Sequence, residues 1–527
     1  MSEQTAARGV SLHPAHRMEQ WQRVLAALGC FATLVLALLD QNIVSAVSWT
    51  MVKDLDPQHG IQHLPWLLTA YTLADCVVLP LYGKLTDMYG AKRMYLIAVI
   101  TFLVGSALCG LSQNMYELIA FRTIQGIGGG GLMSVTMVVL GLLFRKEDDE
   151  GEAEGSSAVG LGGVMVGLGI ALGPGIGGLV AEHLNWRWVF YINLPLGIAA
   201  ILVSIWLVKL DVPTVRRRID YLGAALIAAA ASALLLVSQW GGSEYAWHSD
   251  VILGLIGAGV VLLGLFVWWQ LTTPEPILNL RLIFNRTFRV LIPLGFISGI
   301  GLSGSVAYIS GYLQVGRGLT PTTGGLLLLP MAAGMTIAGL LSTKVAGRLG
   351  KFQLLLGYVL IAAAMLMFSR LGVHTAQVLI AIPLFILGVG LGQCLGVGLM
   401  IAQDSVGVED LGQATTSIRF VQQLGASFGL ALFGTVLNRT LAQELTATTG
   451  GALGGSAGLN LGSLASLPAS LQHAAVAAFV YSTHQVFLIA SAIMVVPVVL
   501  LLFLRTSAER PSAAAAAPAA EPDVTRV

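Results

Sequence analysis

TLVLALLDQNIVSAV (residues 33–47) has the composition of a membrane span at every position except Asp40. A carboxylate at bilayer depth costs about 2.5–3.5 kcal/mol on insertion scales. Such a residue is kept where it faces a cavity or a proton path, or where it sits near enough to a span end to snorkel to the surface. The apolar run ends a turn or two after Asp40, so the local sequence permits both. The depth of the charge favours the cavity. Either way the reading requires a membrane, and the rest of the chain supplies one.

Of 527 residues, 56% are hydrophobic and only 10% charged, with a mean hydropathy of +0.80. Soluble domains carry about 25% charged residues, so this is membrane composition. A net charge of +1 gives no basis for a nucleic-acid partner. Cys30, Cys76, Cys109 and Cys394 lie far apart in apolar runs without CxxC spacing, which excludes a disulfide framework and a zinc site. The first residues, MSEQTAARGVSLHPAHRMEQWQR, lack the short apolar core and cleavage site of a secretory signal, so the first span is expected to remain.

Runs of about 20 apolar residues, enough to cross about 30 Å of hydrocarbon, recur along the chain. They predict fourteen spans: 24–46, 64–83, 94–111, 117–142, 157–181, 188–208, 221–239, 251–270, 289–313, 324–346, 353–370, 376–400, 415–437 and 484–504. An even number puts both termini on one side. With that side cytoplasmic, 21 Lys and Arg fall in inside segments and five outside, namely Lys53, Arg187, Arg317, Arg370 and Arg439; the positive-inside rule therefore fixes the orientation.

Short Gly- and base-containing loops follow the second and tenth spans, GKLTDMYGAKR (83–93) and TKVAGRLGKFQ (343–353). Their recurrence predicts two related six-span halves with a central insertion. The expected architecture is an all-α integral membrane protein. It has a cytoplasmic tail (1–21), a six-helix half (22–210), two inserted helices with linkers (211–288), a second six-helix half (289–505) and a disordered cytoplasmic tail (506–527). RKEDDEGEAEG (145–155) reads as a solvated inside linker, and 440–483 as a flexible extracytoplasmic loop with one short helix before the last span.

Several stretches carry candidate chemistry. GIGGGG (126–131) matches a dinucleotide fingerprint in letters, but it lies inside a span with no strand before it; close helix packing explains it better. Asp75 interrupts the second span near the midplane, where an ionisable group favours a cavity. LIAFRTIQGIGGGG places Arg122 and Gln125 in the outer half of the fourth span. At about 1.5 Å per residue, Arg122 stands at nearly the depth of Asp40, so each can regulate the other's charge; an interfacial structural arginine is the alternative. GLGIALGPGIGG (167–178) is either a packing seam or a bend that controls helix closure. NWRWVFYINLPLG (185–197) is explained by interfacial anchoring and Arg419 equally by snorkelling. No nucleophile–base pair or metal-ligand spacing emerges, so neither a catalytic residue nor a metal site is expected.

Taken together, these residues resemble the major facilitator superfamily, and within it the drug:proton antiporters of fourteen spans, over about residues 22–505. GKLTDMYGAKR is similar to the superfamily's loop after the second span, with Gly83, Asp87, Gly90 and Lys92 in place and Arg93 next to them. Met88 and Ala91 stand where basic residues are frequent. RTIQG matches the fourth-span motif that the family links to proton transfer, through Arg122, Gln125 and Gly126. GIALGPGIGG matches the antiporter motif at Gly169, Gly173, Pro174, Gly177 and Gly178, which implies export. Asp40 matches the family's first-span aspartate, although Asn42 replaces the usual Thr; Asp75 stands where a small neutral residue is common, and Gln422 where Arg is frequent.

The resemblance implies a non-enzymatic, probe-like division of labour among these residues. Asp40, Arg122 and Gln125 would couple protons, Asp75 would be a carboxylate of the substrate cavity, and the span-5 glycines with Pro174 would govern conformational exchange. The expected protein is a monomeric carrier in the cell membrane, driven by the proton gradient without a cofactor, expelling a drug-like or secondary-metabolite molecule. Export of a siderophore, lipid or amino acid, or a transporter-like sensor, are the alternatives.

Overall fold

The computed structural model describes residues 19–55, 60–144, 185–208, 220–241, 245–274, 276–277, 286–373, 375–407, 410–449 and 469–502. Hydrocarbon offers no hydrogen-bond partners, so a spanning backbone must bond within itself. Accordingly the described elements are helices: α1 (Gln20–Leu55), α2 (Gly60–Tyr89), α3 (Ala91–Leu111), α4 (Met115–Phe144), α5 (Trp188–Tyr191), α6 (Asn193–Leu207), α7 (Tyr221–Trp240) and α8 (Asp250–Thr272). They continue with α9 (Arg286–Gly311), a π turn (Tyr312–Gly316), α10 (Pro321–Leu327), α11 (Leu329–Phe368), α12 (Gln377–Asp404), α13 (Leu411–Thr449), α14 (Ala469–Ile493) and α15 (Val495–Leu501). Ten helices among the described residues are long and apolar enough to cross a membrane.

Thirteen of the fourteen expected spans coincide with helix. The fifth, with Gly169, Gly173, Pro174, Gly177 and Gly178, lies outside the described residues, as do 145–155, 450–468, most of the N-terminal tail and the C-terminal tail from 503. The tenth and eleventh spans share the single element α11, yet its two arms run in opposite directions along α12. Ideal Cβ atoms on Gly388 and Gly392 would meet Met331 and Met335, in parallel order. Gly390 faces Gly357 and Ile361, while Gly398 faces Leu354 and Gly350 faces Ile401, in antiparallel order. The chain therefore reverses between Ala338 and Gly350, at the expected loop.

Buried side chains separate into clusters that follow the two halves. One draws on residues from Phe288 to Leu501. Two others draw on Ala26 to Val208, with Leu411 as the single visitor from the second half. The inserted hairpin α7–α8 belongs to neither. Asp220 caps α7 by accepting from the Gly223 amide (2.8 Å), and also accepts from Trp269 Nε1 (2.9 Å) and Gln270 Nε2 (2.8 Å) of α8, which ties the hairpin's ends together. Its inner face, Ile227, Ala231, Leu235 and Phe266, packs against Cys76 and Leu79 of α2 and Phe420 of α13. Its other face exposes Val260, Val261, Trp268 and Leu271, as expected of a helix turned to lipid.

In the stretch expected as a loop, 440–483, the described residues at both ends are helical and 450–468 lie outside the described residues. Helix α13 continues to Thr449 and α14 begins at Ala469. Leu441 and Leu445 pack on Ala475 and Ala478, and this small apolar seam holds both extensions helical beyond the predicted spans. At the far end of α1, Asp54 accepts from Trp186 Nε1 and Arg187 NH1, both at 2.9 Å. These bonds, that from Trp186 first, hold its carboxyl below the usual carboxylate range.

Candidate functional site

Two helices bring hydrogen-bond donors to Asp40, and two more complete the network around it. The α1 carboxylate is buried, 1% exposed, and accepts from Arg122 NH1 of α4 at 2.5 Å. Its other oxygen accepts from Gln125 Nε2 of α4 (2.8 Å) and Asn193 Nδ2 of α6 (2.9 Å). Arg122 NH1 also donates to Gln125 Oε1 at 2.8 Å, and the guanidinium lies 4.3 Å from the Tyr71 ring centroid of α2, a cation–π distance. Asn193 donates in addition to Ser106 Oγ of α3 (2.9 Å), and Ser106 donates to the Phe190 carbonyl (2.9 Å). Arg122 Nε remains without a partner.

The sequence singled out Asp40, Arg122 and Gln125, and the structure brings these three together. It adds Asn193, Ser106 and Tyr71, which sequence reasoning missed. Asn193 sits inside the stretch read as an interfacial anchor; its signal was an amide opening an otherwise apolar run. Buried amides and hydroxyls need partners, and that need was the available clue.

The glycine run 126–131 lets α4 enter this crowded place. A Cβ on Gly126 would lie 2.4 Å from the Tyr71 carbonyl, on Gly128 2.2 Å from the Phe102 amide, and on Gly130 2.4 Å from the Asp75 carbonyl. Helix α4 is thus wedged against α2 and α3 backbone to backbone. The letters of a nucleotide loop are a packing seam.

Asp75 lies one helix away, on α2, and is 5% exposed. It does not join the Asp40 network. The charge whose field reaches it is Arg419 of α13. Arg419 donates to Gln422 Oε1 (3.3 Å) and borders a cavity in the second half.

The motif after the second span works at the junction of the halves. Asp87 accepts from the amides of Gly412 (2.8 Å) and Gln413 (3.1 Å), so an acid of the first half caps the N-terminus of α13 in the second. Gly83 permits the approach, since its Cβ would stand 2.1 Å from Thr416 Oγ1. Gly90 breaks α2 from α3 with φ of 88°, where a side chain would be strained. Lys92 Nζ donates to the Ile205 carbonyl at the end of α6 (3.1 Å). Arg93 is exposed. Lys84, buried, donates to the Pro276 carbonyl (3.0 Å), which pins the linker after α8.

A family model described as Major Facilitator Superfamily matches residues 29–430. An MFS-type transporter of Mycobacterium tuberculosis is 36% identical, with 90% of this chain and 68% of its own covered. The multidrug transporter protein MdtP of Bacillus subtilis is 33% identical over 81% of this chain and 78% of its own. In solved structures, the proton:xylose symporter XylE superposes with a TM-score of 0.58 at 13% identity, covering 92% of this chain and 95% of that one.

Proposed function

Because the chain belongs to the major facilitator superfamily, we propose that it exports a drug-like or secondary-metabolite small molecule across the cytoplasmic membrane in exchange for protons. Halves 22–210 and 289–505 alternate access to a site between them, both termini face the cytoplasm, and the carrier acts as a monomer. The name of the relative MdtP supports the substrate class. The observation that carries the reading is the buried Asp40 network, where one titratable group gathers donors from Arg122, Gln125 and Asn193.

An ionised carboxylate only accepts hydrogen bonds, whereas a protonated one must donate one. Every contact that Asp40 makes here points a donor at it. Three donors occupy three of about four lone-pair sites; a proton on the fourth, at the oxygen that Arg122 bonds, removes the charge that holds the guanidinium and lets Arg122 move. Arg122 has somewhere to go, with the Tyr71 ring beside it and its Nε unbonded. Movement of Arg122 displaces α4, which is wedged on α2 at Tyr71 and Asp75. Helix α2 ends in the Asp87 cap on α13, so the proton site connects to the junction of the halves through packed helices. The expected fifth span, with Gly173 and Pro174, governs conformational exchange.

The test is gradient-driven dye and antibiotic uptake into inside-out vesicles. Wild type accumulates substrate under an inward-acid gradient and stops on its collapse. Asp40→Asn, which keeps the shape and loses the proton, abolishes gradient-driven uptake while the protein still inserts. Wild-type rates in that variant remove Asp40 from the mechanism.

A further inference from the structure

Arg419 is a charged group inside a helix of the second half that the Asp40 network does not use. A guanidinium carries five N–H donors. Among the described residues this one bonds only to Gln422 Oε1, at 3.3 Å, and it forms no ion pair. It borders a cavity of about 30 Å3 whose polar lining is Gln422, Ser298, Tyr358 and the Cys394 thiol. Ser298 and Tyr358 already share a hydrogen bond (2.5 Å), so the half-buried guanidinium, with Gln422, is the group at this cavity with donors left to offer.

The opposing charge comes from the other half. Gly83 and Thr416 meet where α2 and α13 cross. Along α2, Asp75 lies eight residues from that contact, about 12 Å, and along α13 Arg419 lies three residues from it in the same direction, about 4.5 Å. The long arginine stem narrows the difference. Asp75 takes no hydrogen bond from a described residue, and its charge and that of Arg419 act on each other without contact. Two opposite charges thus face each other across the seam between halves, each with bonding capacity to spare.

We propose that Arg419, with Gln422, binds the carboxylate of an organic substrate, and that Asp75 is the resident counter-charge which that carboxylate displaces. The proposal rests on the export reading and names the charge class of its cargo. A planar guanidinium meets a carboxylate through two parallel bonds, which a neutral ester cannot match.

Binding to the purified full chain in nanodiscs, without a gradient, tests this with two dyes that differ by one methyl ester: rhodamine 110, a free carboxylate, and rhodamine 123, its ester. Wild type binds rhodamine 110 about tenfold more tightly, the scale of a lost charge-assisted bond. Arg419→Gln removes that preference and leaves rhodamine 123 unchanged. Arg419→Lys, which keeps the charge without the fork, retains part of it and covers the case in which the glutamine variant unfolds. Asp75→Asn widens the preference. Equal affinity for the two dyes in wild type, no binding of either, or an unchanged preference in both Arg419 variants overturns the proposal. Since no gradient is applied, a failure of vesicle transport counts against the export reading alone.

Discussion

Asp40 accepts from donors on two helices, so any change at this carboxylate reaches α4 and α6 together. Asn193 is the donor that ties α6 into this change, and it relays to Ser106 of α3. Asn193→Ala removes one hydrogen bond to a buried charge, worth about 1.5–3 kcal/mol, and is expected to slow gradient-driven export about tenfold while lowering the melting temperature. Vesicle uptake and thermal unfolding check this; unchanged values in both make the amide a bystander. Asp40, Arg122 and Gln125 were legible in the sequence because charge inside a span is expensive and draws the eye. Asn193 and Ser106 were not, since a neutral amide or hydroxyl near a span end carries little cost on its own. Arg419 was legible as a residue but not as a role: snorkelling explained it until the fold put Asp75 opposite.

At the scale of the element, glycine decides how closely backbones meet. Gly128 touches the Phe102 backbone of α3, so Gly128→Leu forces α3 and α4 apart at an overpacking cost of about 1–3 kcal/mol. The expected result is reduced yield of folded protein and a lowered melting temperature, read by fluorescence size-exclusion after heating. Gly173→Leu in the expected fifth span should insert normally but stall or uncouple transport if, as proposed, the glycine serves exchange; normal export would reduce GPGIGG to filler. Spans were readable because twenty apolar residues have few other destinations. The extensions of α13 and α14 were not, because Ala, Gly and Ser in 440–483 read as loop. Their helicity depends on Leu441 and Leu445 finding Ala475 and Ala478, a tertiary event invisible in either stretch alone.

For the whole molecule, the Asp87 cap on α13 is a contact between halves that alternating access must break. Asp87→Ala removes a capping carboxylate worth about 0.5–2 kcal/mol, which shifts a two-state balance roughly 2- to 30-fold toward the state with this end open. Spin-label distances between the end of α2 and the start of α13 should lengthen; an unchanged distribution makes the cap decorative. The orientation is a separate prediction from the 21-to-5 charge bias. A reporter at residue 460 should be reached only from outside, and cytoplasmic labelling there inverts the topology. The faint loop repeat foretold two halves, and the buried clusters divide accordingly. Which helices the insertion would cover had no sequence signal, because lipid-facing and protein-facing apolar side chains use the same residues.

That insertion has a consequence for traffic. With the hairpin seated over Cys76 and Leu79 of α2 and Phe420 of α13, the seam between those two helices is covered from the side. A greasy molecule moving sideways from the lipid meets Val260, Val261, Trp268 and Leu271 of the hairpin before it meets α2 or α13 there. The added hairpin is a one-sided weatherboard over that seam.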